Sequence, residues 1–318
     1  MHAKVFDTRD DASDHPCRWA NAFHRDLMRR NHDRLRLAPP GDDWEAELRA
    51  ESQLRRMEVG FVEAERHAVA PWTRNVPTRA PAFLAWFERL EQTGPGQGDP
   101  LFPWLAQEAD VTAMRWFIKQ EAAGEAGFDD LVALSQLRLP AGPKLEMARN
   151  YWDEMGRGRL DGMHGPMLDR AVAELDVVPD PDETVWESLA LANLMLAMAG
   201  SRRYVYHAIG ALGVVELTAP GRVSRVNEGL QRLGISPTGR RYFQLHAGLD
   251  VRHSEAWNRE VLGPLVERDP DCAVALAEGA LMRMRAGARC FERYRAHLGI
   301  AAERAISVRE GRKLPVAA

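Results

Sequence analysis

Apolar residues recur at three- and four-residue spacing along nearly the whole chain, while alternating runs rich in Val, Ile and Thr between turn residues are almost absent. The first pattern places one apolar stripe on a helix and the second would mark strands, so an all-α chain is expected. The periodicity predicts amphipathic helices over 18–31 and 44–70, parted by Ala38-Pro39-Pro40-Gly41, and a third over 77–90 carrying Phe83, Trp86 and Phe87. After the breaker Gly94 to Pro100 comes one long core helix over 110–137, with Met114, Phe117, Ile118, Leu131 and Leu134 on its apolar side. Further helices are expected over 144–155, from Met163, over 186–198, 202–216, 223–233, 242–266 and 270–298. Breaks are expected at Pro140 to Pro143, through the glycines between 156 and 162, and at Ala219-Pro220-Gly221. No repeat of 20 to 50 residues argues for a solenoid.

Composition narrows the setting. With 318 residues, 45% of them hydrophobic, the chain is long enough to bury a substantial core. A net charge of -4 with both signs interspersed argues against a phosphate-tracking nucleic-acid partner. Cys17, Cys272 and Cys290 form no CxxC pair, so neither a zinc finger nor a disulfide framework is indicated. Charges occupy the N-terminal residues where a signal peptide needs its apolar region. The most apolar run, 189–200, is too short to cross a bilayer and contains Asn193. A cytoplasmic protein without a membrane partner is expected.

The chemistry concentrates in Tyr242 to His253, where His246, Asp250 and His253 stand at i, i+4 and i+7. At about 100° per residue these side chains fall within roughly 60° of one another on a helical face. Two imidazoles and a carboxylate suit first-row metals that keep open coordination positions. Alone, the stripe would equally suit an exposed polar face. Its companions are Glu121 or Glu125, Glu154, His164 and Glu216, each near apolar or small residues, where a carboxylate is expensive unless paired or metal-bound. Glu125 would also suit a surface ion pair one turn away, and Glu216, close to Ala219-Pro220-Gly221, a structural role. Helical bundles that hold two irons draw Glu and His from inward-facing helices in this way.

The order Glu121, Glu154, His164, Glu216 and His246-x3-Asp250-x2-His253 resembles the haem-oxygenase-like diiron oxidases and oxygenases, known as iron-containing redox enzymes. The resemblance covers about residues 80–270. It implies a haem-oxygenase-like multi-helix bundle over 76–305, preceded by an N-terminal helical extension, 1–75, and followed by a tail, 306–318. Carried over residue by residue, it implies that Glu154, His164 and His253 hold one iron and Glu121, His246 and Asp250 the other. Glu154 would bridge the two, and Glu216 would be an additional ligand. The implied cofactors are two Fe(II)/Fe(III) ions per chain with O2 as cosubstrate. The implied reaction is oxidation of a small amine, amino acid or fatty-acid-like substrate by N-oxygenation, desaturation or oxidative C–C cleavage. Trp116, Tyr204, Tyr206, His207 and Tyr242 are the candidates to line the substrate pocket, although His207 would equally suit a hydrogen-bonded core position. An external reductant is an expected partner, and a homodimer is compatible. Competing readings are a protein of the same fold that binds haem or another small ligand, and a non-catalytic iron-binding helical protein.

Overall fold

The computed structural model describes residues 15–124 and 127–301. Their long elements are all helices: α1 His15–Leu35, α2 Trp44–Thr73, α3 Ala80–Thr93, α4 Leu101–Gln107, α5 Val111–Gly124, α6 Phe128–Ser135, α7 Ala141–Glu154, α8 His164–Glu174, α9 Trp186–Ala199, α10 Val205–Arg232, α11 Arg241–Trp257, α12 Gly263–Arg268 and α13 Cys272–Leu298. Among the described residues the one extended pairing is an isolated bridge between Met155 and Met163. The all-α expectation therefore holds among the described residues. No helix among the described residues is long and apolar enough to cross a membrane.

Helix ends follow local chemistry. Asp43 accepts from the Ala46 amide at 2.9 Å to cap α2, and Asp110 accepts from Ala113 at 2.8 Å at the head of α5. Three boundaries differ from the sequence pattern. The expected helix over 110–137 is two helices, parted near Gly127, whose φ of 67° is a left-handed conformation that suits glycine. In contrast, Ala219-Pro220-Gly221 breaks nothing: α10 runs straight through with Pro220 inside. Proline removes one helical hydrogen bond, but α10 lies buried between α11 and α13, and that packing outweighs the local cost. The expected helix over 242–266 passes through a π-helical turn, Asn258–Leu262, before Pro264 opens α12. Residues 101–107, expected only as an approach to the core, form α4.

The bundle is organised around α10. Near its start, a Cβ at Gly210 would lie 1.9 Å from the Leu276 carbonyl oxygen, and one at Gly279 would lie 1.9 Å from that of His207. Glycine at both positions lets α10 and α13 touch backbone to backbone. Phe83, Phe87, Leu194, Met198, Leu212 and Leu276 belong to one apolar cluster around this contact. Leu101, Leu105, Met114, Phe117, Leu230 and Phe291 belong to a second. The N-terminal helices lie on this frame, α1 against α9 and α2 against both α9 and α13. His24 of α1 stacks on Trp186 of α9 at 5.7 Å.

Candidate metal centre

Glu154 ends α7 and His164 begins α8, so the nine residues between them decide whether the two side chains meet. Gly156, Arg157 and Gly158 all have positive φ, at 61°, 55° and 82°. Gly156 approaches the Gly162 backbone so closely that a Cβ would lie 2.2 Å from its carbonyl carbon. This closed loop returns the chain on itself and sets His164 Nδ1 2.6 Å from Glu154 Oε2. The two ligand types thus sit on separate helices, as the three glycines between them required.

α11 presents His246, Asp250 and His253 on one buried face, and α10 adds buried Glu216. Two groups of ligand atoms result, Glu154 with His164 and His246, and Glu154 with Glu216 and His253. Within each group the atoms lie within 4.8 Å of one another. Glu154 belongs to both. The grouping differs from the one the resemblance implied: His164 meets His246, not His253, because α8 lies against the first turns of α11. The rings of His164 and His246 are 4.5 Å apart.

Each histidine of α11 has one nitrogen committed. His246 Nδ1 lies 2.7 Å from the Tyr242 carbonyl oxygen, so it carries the proton and donates it there, leaving the Nε2 lone pair free for a metal. His253 Nε2 lies 3.2 Å from Asp153 Oδ2, which directs its Nδ1 toward Glu216 Oε2 at 3.5 Å. Asp153 is held in turn by Arg157 Nε at 2.6 Å. Asn150 donates to Glu216 Oε1 at 2.6 Å from one turn before Glu154. Such outer partners fix the orientation of metal-binding side chains.

The electrostatics are those of too much acid in too little water. Burial pushes the Glu154 carboxyl up to about 8, with Glu216 adding to it against the pull of His246. Burial, then Glu216 and Glu154, push Asp250 up to about 9. Burial drives His164 down to about 4 and also lowers His246. For His253 burial works against the charge, but Glu216, Asp153 and Asp250 outweigh it and raise the imidazole to about 9. His164 Nδ1, His253 Nδ1 and Asp250 Oδ1 are buried without a hydrogen-bond partner. The close approach of His164 to Glu154 lacks the alignment of such a bond. Buried polar atoms left unpaired cost about 1–3 kcal/mol each, and the mixed nitrogen and oxygen donors of the two groups suit a transition metal such as iron.

Beside these residues is a cavity of about 180 Å³, walled by apolar side chains such as Leu131, Leu168, Leu191, Met195 and Val215. Tyr242 lines it, as do Glu154, His164, Glu216, His246 and Asp250. Glu121 also lines it, but stands outside both ligand groups and accepts a hydrogen bond from Tyr294 Oη at 3.0 Å. Desolvation raises its carboxyl pKa, against the hydrogen bond from Tyr294. Glu125 lies outside the described residues. Four expected pocket residues do not line the cavity. Trp116 turns outward to stack on His297 at 3.9 Å, and Tyr204 donates to Glu63 Oε1 at 2.8 Å. His207 Nε2 meets Glu278 at 2.9 Å, and Tyr206 packs against the core around the start of α10.

Sequence reasoning missed Asp153, Asn150, Ser188, Arg283 and Tyr294. For Asn150 a signal existed, since it precedes Glu154 by four residues and shares its helical face. Arg283 and Tyr294 are eleven residues apart, three turns on one face of α13, but nothing in their local sequence ties that face to the ligands.

A helical bundle with two buried carboxylate and imidazole groups joined at one glutamate defines a metal-binding class of protein. Residues 115–288 match the family of iron-containing redox enzymes, and the chain belongs to that family. Among solved structures the chain is similar to a CADD-like protein of unknown function from Nostoc punctiforme, at 17% identity and a TM-score of 0.47, covering 82% of this chain and 99% of that one. No curated protein matches it.

Proposed function

We propose that this iron-containing redox enzyme is a non-haem diiron oxidase or oxygenase that activates O2 to oxidise a small organic substrate. The observation that carries the reading is the pair of buried groups of candidate ligands sharing Glu154 beside an apolar-walled cavity. Glu154, His164 and His246 would hold one iron, and Glu154, Glu216 and His253 the other, with Asp250 buried on the same face of α11 as the two histidines. Bound iron would supply redox electrons and open coordination positions for O2 chemistry. The rest is the work of the chain. Asp153 and the Tyr242 carbonyl fix which nitrogen each α11 histidine offers. Without metal, Glu154 and Asp250 hold protons that must leave when a cation arrives. The apolar wall restricts water around the substrate.

The volume supports a small substrate. A cavity of about 150 Å³ in another protein takes up benzene, so about 180 Å³ suits a compact or short-chain molecule. A haem needs far more space, and three carboxylates would surround it to no purpose. An external reductant completes turnover in this reading. O2 consumption by the Fe(II)-loaded protein tests it: the wild type is expected to consume O2, and a His246→Ala/His253→Ala double variant is not. Equal consumption by the two, above that of free Fe(II), would sink the assignment.

A further inference from the structure

Helix α11 has a second face. Arg241, Leu245 and Arg252 fall within roughly 40° of one another and about 130° round the helix from His246, Asp250 and His253. With Leu249, and with Arg170 from α8, they line an open groove of about 740 Å³. Arg241 and Arg252 are exposed and the two leucines half-buried, so along three turns of the helix an apolar strip lies between two basic ends.

The positive charge of this groove is not used within the chain. Asp161 is the acid that lines it, and its carboxylate is held by Arg159 at 2.8 Å. Arg170 donates to the Asp161 carbonyl oxygen at 2.9 Å. Arg241 acts on Asp161 across space, and among the described residues neither Arg241 nor Arg252 is in an ion pair. Exposed arginines by themselves are ordinary surface. These stand on the helix that supplies His246 and His253 from its other side, in a chain whose net charge is -4. A local excess of arginine on a net acidic molecule steers an acidic partner to that place and away from the rest of the surface. The leucines offer the apolar contact that docked surfaces bury at their centre.

The proposed reaction draws electrons from outside. Each Fe(III) returns to Fe(II) by taking one electron, and the carrier that gives it is oxidised by one. A carrier seated in the groove would have a single helix, about 10–12 Å across, between its surface and the candidate ligands. We propose that this face of α11 docks a small acidic one-electron carrier protein, with carboxylates of the carrier on Arg170, Arg241 and Arg252 and an apolar contact on Leu245 and Leu249. This deepens the proposed function by naming the class of its reductant, and it rests on that reading for the need of electrons.

Stopped-flow reduction of the Fe(III)-loaded full chain by a reduced acidic ferredoxin tests the docking face, with dithionite as the small reductant. Titration of the metal-free chain with oxidised ferredoxin reads binding alone. The wild type is expected to be reduced by both donors, and the ferredoxin step to slow about 10-fold or more as salt rises from about 0.05 to about 0.3 M. Arg241→Glu/Arg252→Glu is expected to slow that step and weaken binding about 10- to 100-fold, with iron content and the dithionite rate at wild-type values. If the double reversal fails to fold, Arg241→Gln and Arg252→Gln are each expected to give a smaller loss of the same kind. Equal ferredoxin rates in wild type and variants, no effect of salt, or reduction by dithionite alone would overturn the proposal. So would a groove that binds a single-stranded oligonucleotide through these arginines and not ferredoxin. A chain that binds no iron but still binds ferredoxin through Arg241 and Arg252 would count against the metal reading and not against this one.

Discussion

Asp153 and Tyr242 determine how His253 and His246 approach a metal, although neither is itself in a ligand group. Asp153→Asn is expected to weaken Fe(II) binding about 10- to 100-fold with little loss of fold, measured by competition with a chelator. Because burial leaves Glu154 and Asp250 protonated near neutral pH, Fe(II) uptake should release protons and tighten as pH rises toward 9. Titration in buffers of different ionisation enthalpy reads that release, and none would contradict it. Away from the site, burial and Arg289 drive His24 down to about 3. The unfolded chain takes up this proton below pH 6.5 and the folded one does not, so stability is lost as pH falls. His24→Phe should gain on the wild type by about 2 kcal/mol between about pH 7.5 and 5 in denaturant melts. The i, i+4, i+7 spacing of His246, Asp250 and His253 was legible because a helix fixes which residues share a face. It does not fix what meets that face, which is why the partner of His164 and the place of Glu121 emerged only in three dimensions.

Among elements, the same limit explains Gly127 and Pro220. Both are breaker residues in sequence, but only Gly127, with a left-handed φ of 67°, parts its helices, while packing of α10 against α11 and α13 on either side carries it through Pro220. That continuity matters for function, since the same unbroken α10 brings Glu216, Ala219 and Val223 to the cavity. The α10 and α13 contact is the most demanding in the bundle. Gly279→Ala would drive a methyl group into the His207 carbonyl and should destabilise by about 1–3 kcal/mol or more in chemical denaturation. Gly248→Ala is the matched control. It lies on α11 between His246 and His253 but has nothing within 4 Å of an added Cβ, so it should be neutral or stabilise by up to about 1 kcal/mol.

Over the whole molecule, ligands from α7, α8, α10 and α11 converge because the closed loop after Glu154 and the long α10 bring distant segments to one place. α1 and α2 cover α9 and α13, the helices that carry Ser188, Arg283 and Tyr294 into the cavity. The all-helical bundle and the five residues that converge, Glu154, His164, Glu216, His246 and His253, could be read from periodicity and resemblance. The cavity residues Ser188, Arg283 and Tyr294 could not, because they come from α9 and α13 and share no local motif with the α11 face. The central claim is a two-iron centre, and anaerobic Fe(II) titration with metal quantification per folded chain tests it most directly. Two tightly bound irons per chain, lost in His246→Ala/His253→Ala, are predicted. One iron or none in the wild type, or two retained in the double variant, would contradict it.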